Sequence, residues 1–132
     1  MAQSERENWK GAQRAFLEAV KRDNRNGEAW FDLAFAYIAG GDLTAAESAF
    51  RNSIVHKSID SILGHNNVGV LLAIRGEYAA AEREFETALK ASGGSLIEAK
   101  NNLEYCRAHH SERAALVAGT GFEYTGRKQA LF

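Results

Sequence analysis

The chain has 132 residues, of which 45% are hydrophobic and 25% are charged, as in an ordinary soluble globular domain and unlike a disordered segment. Its 16 Lys and Arg residues nearly balance 17 Asp and Glu residues, so the net charge is -1 and no overall field attracts nucleic acid or an anionic membrane. There is a single cysteine, Cys106, so no intramolecular disulfide can form. The first twenty residues are too charged for a secretory signal, and no apolar stretch reaches the roughly 20 residues that span a bilayer. We therefore predict one cytoplasmic domain with neither nucleic-acid nor membrane partners.

Helix signals follow one another along the chain. The S-x-x-E capping box is matched by Ser4 with Glu7 and again by Ser95 with Glu98, which predicts outer helices near residues 4–23 and 95–110. Between them we expect two helix pairs, near residues 27–60 and 61–95. Glycine readily adopts the left-handed conformation that ends many helices, and Gly76, like the Gly40-Gly41 pair, ends the first helix of a pair.

The predicted helices repeat at a nearly constant interval. Phe50 and Phe85 are 35 positions apart, and Phe16 lies 34 positions before Phe50. The same intervals relate other small and apolar residues: Leu33, Val68 and Leu103; and Ala12, Ala46 and Ala81. We call the two helices of each repeat unit its first-half and second-half helices. The pattern therefore predicts a second-half helix, two complete helix pairs and a final first-half helix. Such units bury their apolar faces only by stacking.

These residues resemble the tetratricopeptide repeat (TPR) family, whose unit is a helix-turn-helix with the pattern W-x2-L-G-x2-Y followed by A-x3-F. The first unit matches it at Trp30, Leu33, Ala34, Tyr37, Ala46 and Phe50. The second unit matches it at Val68, Gly69, Leu72, Gly76, Tyr78, Ala81, Phe85 and Ala88. The chain departs from the family in having no proline. The resemblance covers roughly residues 7 to 110.

The resemblance implies an all-α fold: a right-handed α-solenoid of antiparallel helix pairs with about six helices. It places the repeat domain at residues 1–118 and a C-terminal tail at 119–132. It also implies a non-enzymatic adaptor that binds a protein or peptide in a concave groove.

A second apolar stripe runs along the first helix of the first pair. Phe31, Phe35 and Ile38 follow the i, i+4, i+7 spacing, and the stripe is centred about 100° from the stripe that begins at Trp30. We expect the Trp30 stripe to pack inward and the Phe31 stripe to face the groove. The alternative is that Phe31 and Phe35 contact the first helix or the C-terminal tail.

Carried over position by position, the resemblance gives a set of residues that line the groove on the first-half helices. The predicted peptide-binding residues are Phe31, Asp32, Phe35, Ile38, Asn66, Asn67, Val70, Asn101, Asn102 and Tyr105. Within this set, Asp32, Asn67 and Asn102 share one repeat position and form a polar ladder. Carboxamides can pair with a peptide backbone through donor and acceptor alike, and aromatic residues are frequent interface anchors. We therefore expect a ligand with apolar side chains.

Two kinds of chemistry fit the sequence poorly. TPR domains that hold the C-terminal carboxylate of chaperones use lysines and an arginine. At those positions this chain has Phe31, Glu28 or Leu63, and Glu98, so chaperone binding is not expected. Cys106 lies close to His109 and His110 in sequence, but no fourth metal ligand is evident.

The glycine spacing of the segment GTGFEYTGRK is similar to that of a phosphate loop. However, no lysine directly follows its second glycine, and no strand is predicted before it. We predict no enzymatic activity, no metal and no cofactor.

The two ends of the chain suggest an alternative function. A second-half helix at one end and a first-half helix at the other could stack on further copies, making a self-assembling structural module with itself as partner. The tail carries Phe122, Tyr124, Leu131 and Phe132, and we predict that part of it folds back onto apolar repeat surface or crosses to a neighbouring copy.

Overall fold

A computed structural model describes residues 3–56 and 61–108, and within residues 3–6 it describes the backbone alone. Six helices make up these ranges, which contain no strand: α1 (Gln3–Arg22), α2 (Gly27–Ala39), α3 (Leu43–Val55), α4 (Ser61–Ile74), α5 (Tyr78–Ala91) and α6 (Ile97–Ala108). The prediction of an all-α fold with about six helices is confirmed.

Short polar side chains begin two of the helices. The Asn26 carboxamide oxygen accepts a hydrogen bond from the Ala29 N–H at 3.0 Å, and the Asp42 carboxylate accepts one from the Ala45 N–H at 3.0 Å, which satisfies backbone donors that a helix start leaves open. The predicted capping box at Ser95 is wrong. Its hydroxyl donates to the Ser92 carbonyl oxygen at 2.7 Å, and α6 begins two residues later, at Ile97.

Glycines end the first-half helices as the sequence predicts. Gly41 and Gly76 both have φ of +84°, a conformation that costs other residues more than glycine. After α2, the Gly41 N–H donates to the Ile38 carbonyl oxygen and the Asp42 N–H to the Tyr37 carbonyl oxygen, both at 2.9 Å. This pattern is a Schellman motif, and it turns the chain directly into α3.

The helices group into two compact units that divide near Ser61: α1 to α3, and α4 to α6. In the first unit α2 contacts both α1 and α3. The α1 contact is close, because a Cβ atom added at Gly40 would lie 2.5 Å from the Trp9 ring. A larger residue there would force the Trp9 ring to shift, even though the backbone of Gly40 is right-handed helical.

In the second unit α5 contacts both α4 and α6. Phe85 lies so close to Gly69 of α4 that an added Cβ atom would be 2.5 Å from its ring. On the other side, the Arg107 guanidinium of α6 lies 2.9 Å from the Glu86 carboxylate of α5. Both units thus place a second-half helix beside a first-half helix, as the repeat predicts.

Some predictions fall outside the described residues. These are His109 and His110, the segment 119–128 and the docking of the C-terminal tail. Among the helices that the structure describes, none is long and apolar enough to cross a membrane.

Candidate functional site

The aromatic residues predicted to line the groove on α2 lie in the core of the first unit. Phe31 is 0% exposed and Phe35 is 3% exposed. Their ring centroids lie 5.3 Å and 5.4 Å from that of Phe50 on α3, in edge-to-face arrangements that aromatic pairs favour. These two rings are therefore buried against α3 and are not open to solvent.

The reason is that α2 is covered almost all round. Its buried residues are Gly27, Ala29, Phe31, Leu33, Ala34, Phe35 and Ala36, and a helix that is apolar on every side is an interior helix. Trp30 is instead half-buried, and its indole N–H donates to the Asn24 carbonyl oxygen at 2.8 Å. Of the predicted groove residues on α2, Asp32 and Ile38 are the ones that remain half-buried.

In the second unit three asparagines form one buried carboxamide network. The Asn102 side-chain amide donates to the Asn66 Oδ1 atom at 3.1 Å, and the Asn66 amide donates to the Asn67 Oδ1 atom at 3.1 Å. Their exposed fractions are 3%, 0% and 0%, respectively. Burying an amide is tolerated when it is hydrogen-bonded. The network therefore joins α4 to α6.

This network includes two members of the polar ladder that the repeat register suggests. Asn67 and Asn102 share a repeat position, and Asn66 makes a bond that crosses from α4 to α6. The ladder was expected to pair with a bound peptide backbone, and the two bonds described here lie within the protein. Val70, which was also expected in the groove, is 0% exposed.

One edge of this network is accessible on α6. Tyr105 is half-buried and Asn101 is exposed. They are four residues apart and share one face of the helix, and Tyr105 lies three residues after Asn102, beside the network. This edge combines an aromatic ring with a carboxamide next to a buried, hydrogen-bonded polar interior.

Sequence reasoning missed a contact between α4 and α5. The His65 Nδ1 atom lies 2.8 Å from the Glu84 Oε2 atom, and both side chains are partly buried. In the repeat register these two residues replace Trp30 and Ala49 of the first unit. The sequence did contain a signal for this contact, because a histidine and a carboxylate occupy two repeat positions where the first unit has apolar residues.

Cys106 lies in an environment that suits a structural thiol. It is 0% exposed, and its Sγ atom lies 3.7 Å from the Tyr78 carbonyl oxygen. Burial raises the pKa of Cys106 to about 11, and the Glu82 charge adds to the rise. Metal binding and nucleophilic attack both need the thiolate. Within residues 3–56 and 61–108, no group of three or more His, Cys, Asp or Glu side chains could hold a metal ion.

Helix pairs that recur at a nearly fixed interval define a class of protein, the helical-repeat proteins. The family model described as tetratricopeptide repeat matches residues 1–58. This part of the chain is similar to the tetratricopeptide repeat family, whose repeats are generally protein-interaction modules and whose members are typically non-enzymatic adaptors. A search of curated proteins found no match to the chain.

Proposed function

We propose that this protein is a non-enzymatic adaptor that binds a peptide segment of another protein along its first-half helices. The observation that carries the proposal is the edge on α6, where Tyr105 and Asn101 lie accessible beside the buried carboxamide network. A rigid polar interior holds the edge in place, and preorganised sites lose less entropy on binding. The protein works without a metal or cofactor in this proposal, and its natural setting is the cytoplasm.

The residues divide into two roles. Tyr105 supplies an aromatic surface for an apolar side chain, and Asn101 supplies a donor and an acceptor for a peptide backbone. Asp32 and Ile38 offer a second polar and apolar pair on α2. The buried members of the predicted set support these surfaces from within: Phe31, Phe35, Asn66, Asn67, Val70 and Asn102.

Charge narrows the class of ligand. Neither α2 nor α4 contains a lysine or an arginine, and α2 carries Glu28 and Asp32. A free C-terminal carboxylate would find no cationic partner on these two helices. On α6, Lys100 and Arg107 lie about 140° and 160° around the helix from Tyr105, so neither is on the same face as Tyr105. We therefore propose an internal segment with apolar side chains, rather than an acidic chain terminus, as the ligand.

The test begins with a random linear peptide library displayed on phage and selected on the whole chain. Selected peptides are synthesised, and their affinities are measured by fluorescence anisotropy against Tyr105→Ala and Asn101→Ala variants. Lys90→Ala, at an exposed position on α5 of the same unit, is the matched control. Loss of an interface anchor costs more than about 1 kcal/mol, so we expect Tyr105→Ala to weaken binding about tenfold and Lys90→Ala to leave it unchanged.

Two results would overturn the proposal. One is that no peptide is enriched over the unselected library. The other is that the selected peptides bind Tyr105→Ala and Asn101→Ala as tightly as the wild type. Variants at Phe35 and Asn67 are unsuitable for this test, because both residues are buried and their truncation would disturb the fold.

The alternative of stacking through both terminal helices meets an obstacle on α6. In the repeat register, three α6 residues stand where α2 has Trp30, Ala34 and Tyr37. These three α6 residues are all charged and exposed: Lys100, Glu104 and Arg107. A polar outer face is typical of a terminal repeat that ends an array. Head-to-tail stacking onto α6 is therefore disfavoured.

A further inference from the structure

A row of residues on α6 is less buried than its counterparts on the other first-half helices. Ile97, Asn101 and Tyr105 follow one another at intervals of four, so they lie along one side of the helix. Ile97 is 62% exposed, Asn101 is exposed and Tyr105 is half-buried. We call these three residues the α6 stripe. It extends the edge described above by one large apolar side chain.

The same repeat positions are covered in the two complete helix pairs. Where α6 has Asn101 and Tyr105, α2 has Phe31 and Phe35, and both are buried against the Phe50 ring of α3. The equivalent positions on α4 are also 0% exposed. In both pairs the helix that follows the first-half helix in the chain packs against it. By the same topology, the segment that follows α6 is the part of this chain placed to cover the α6 stripe.

That segment consists of residues 109–132, which lie outside the described residues. Helix α6 ends at Ala108, three residues after Tyr105, and Phe122 is 14 residues further along the chain. An extended chain advances about 3.3 Å per residue, so this connection spans up to about 46 Å. The α6 stripe is about 12 Å long at 1.5 Å per residue. The connection is therefore long enough for Phe122 to return to any part of the stripe.

The sequence of segment 119–128 fits this position. The interval of 35 that relates Phe50 to Phe85 leads next to Thr120, and Phe122 is the nearest aromatic residue to it. Tyr124 follows two positions later, and side chains at that spacing share one side of an extended chain. The segment thus belongs to the class of ligand proposed for the edge, a peptide with apolar side chains.

Charge favours the contact modestly. Glu98, Lys100 and Glu104 each lie one position from a member of the α6 stripe, so the net charge beside it is -1. Segment 119–128 has two basic residues against one acidic residue, a net charge of +1. Opposite charges at an exposed surface contribute little to affinity, so the apolar side chains carry the contact.

We propose that segment 119–128 covers the α6 stripe, with the Phe122 ring against Tyr105, and thereby competes with the peptide that binds the same edge. The competition rests on the proposed function, whereas the contact itself does not. A segment tethered by a short linker has an effective concentration in the millimolar range. Even a weak contact therefore keeps the edge closed for part of the time, and a partner must displace the segment in order to bind.

The contact is tested without any ligand, by the rate of disulfide formation in the whole chain. Glu123→Cys is combined with Asn101→Cys or, as the matched control, with Lys100→Cys, which changes the loop length by one residue and lies about 100° around α6. Cys106 stays in place because it is 0% exposed. Under mild oxidation of dilute protein we expect the pair with Asn101→Cys to close about tenfold faster, and Phe122→Ala to remove the difference.

The competition is tested with the peptides selected from the phage library. Phe122→Ala should bind them about fivefold more tightly than the wild type in fluorescence anisotropy, because it removes the anchor that competes for the edge. Phe132→Ala, which removes a ring ten residues further on, is the matched control and should leave the affinity unchanged. The library is also selected on Phe122→Ala, so that a closed edge is not mistaken for a missing site.

The outcomes separate the two claims. Equal closing rates for the two cysteine pairs overturn the contact. Unchanged affinity in Phe122→Ala overturns the competition. If neither selection enriches a peptide, the proposed function fails and the competition fails with it, while the closing rates still decide the contact.

Discussion

Replacing Gly69 with alanine examines the closest helix contact in the second unit. A Cβ atom at this position would lie 2.5 Å from Cε1 and 2.7 Å from Cδ1 of Phe85, roughly 1 Å inside the optimal separation of about 3.5 Å between carbon atoms. The Phe85 ring is 0% exposed, so it cannot swing into solvent to relieve the overlap.

The sign of the effect depends on two opposing terms. In an open helix, Gly→Ala stabilises by about 1 kcal/mol because alanine restricts the unfolded chain and favours the helix. Overpacking a core costs about 1 to 3 kcal/mol. With the overlap falling on ring atoms that cannot move away, we place the overpacking cost in the upper part of that range, at about 2 to 3 kcal/mol. After the gain of about 1 kcal/mol, Gly69→Ala should lower the free energy of unfolding by about 1 to 2 kcal/mol.

Gly11→Ala provides the matched control. A Cβ atom there would meet its nearest neighbour, the Arg14 Nη2 atom, at 3.9 Å, which is ordinary contact. The same chemical change within a helix is therefore expected to raise the free energy of unfolding by about 0.5 to 1 kcal/mol. The two glycines should move stability in opposite directions.

The assay is urea unfolding followed by far-ultraviolet circular dichroism, comparing midpoints and slopes among the variants. A double variant with Phe85→Leu removes the ring atoms that Gly69→Ala would meet, so the two changes should couple favourably. The reasoning is refuted if Gly69→Ala is as stable as the wild type. It also fails if Phe85→Leu makes no difference to the effect of the alanine.

Three further predictions follow from single contacts. Phe50→Ala should destabilise by about 3 to 5 kcal/mol in urea unfolding because it removes the ring that lies on two aromatic residues of α2; a loss under about 1 kcal/mol would contradict that packing. Asn102→Ala should cost about 1 to 3 kcal/mol, since it takes away the donor that joins α6 to α4, while exposed Asn101→Ala should change stability by less than about 0.5 kcal/mol. Cys106, with its pKa raised to about 11, should resist iodoacetamide at pH 8 in the native protein and react once urea unfolds it. Because its folded pKa exceeds the ordinary value of 9.0, the stability that the protonated thiol contributes is present below pH 9 and is lost as the pH rises through about 11.

The candidate site was predicted less well than the helices. The sequence pointed to Tyr105 and Asn101, which are accessible, but also to Phe31, Phe35 and Val70, which are buried. Helical spacing indicates which residues share a face, but it does not indicate how much of that face a neighbouring helix covers. On α2, Phe31 and Phe35 both contact the Phe50 ring of α3, which their spacing did not indicate.

The sequence by itself determined the all-α fold and the order of its helices. Local and periodic signals were enough for this, and they can be recognised without knowledge of any contact. These signals are the repeat interval, the small-to-large alternation at Ala46 and Phe50, and the glycines at Gly41 and Gly76. The start of α6 was misplaced because the Ser95 hydroxyl, which fits a cap on sequence alone, bonds instead to the Ser92 carbonyl oxygen.

The tertiary structure decided which polar residues pair and which faces stay open. The bond from Asn102 to Asn66 depends on how α4 and α6 are offset, and no periodicity in the sequence specifies that offset. The exposure of Ala15 beside the burial of Ala49 has the same origin. Both are alanines at one repeat position, and they differ in how completely the surrounding residues cover them.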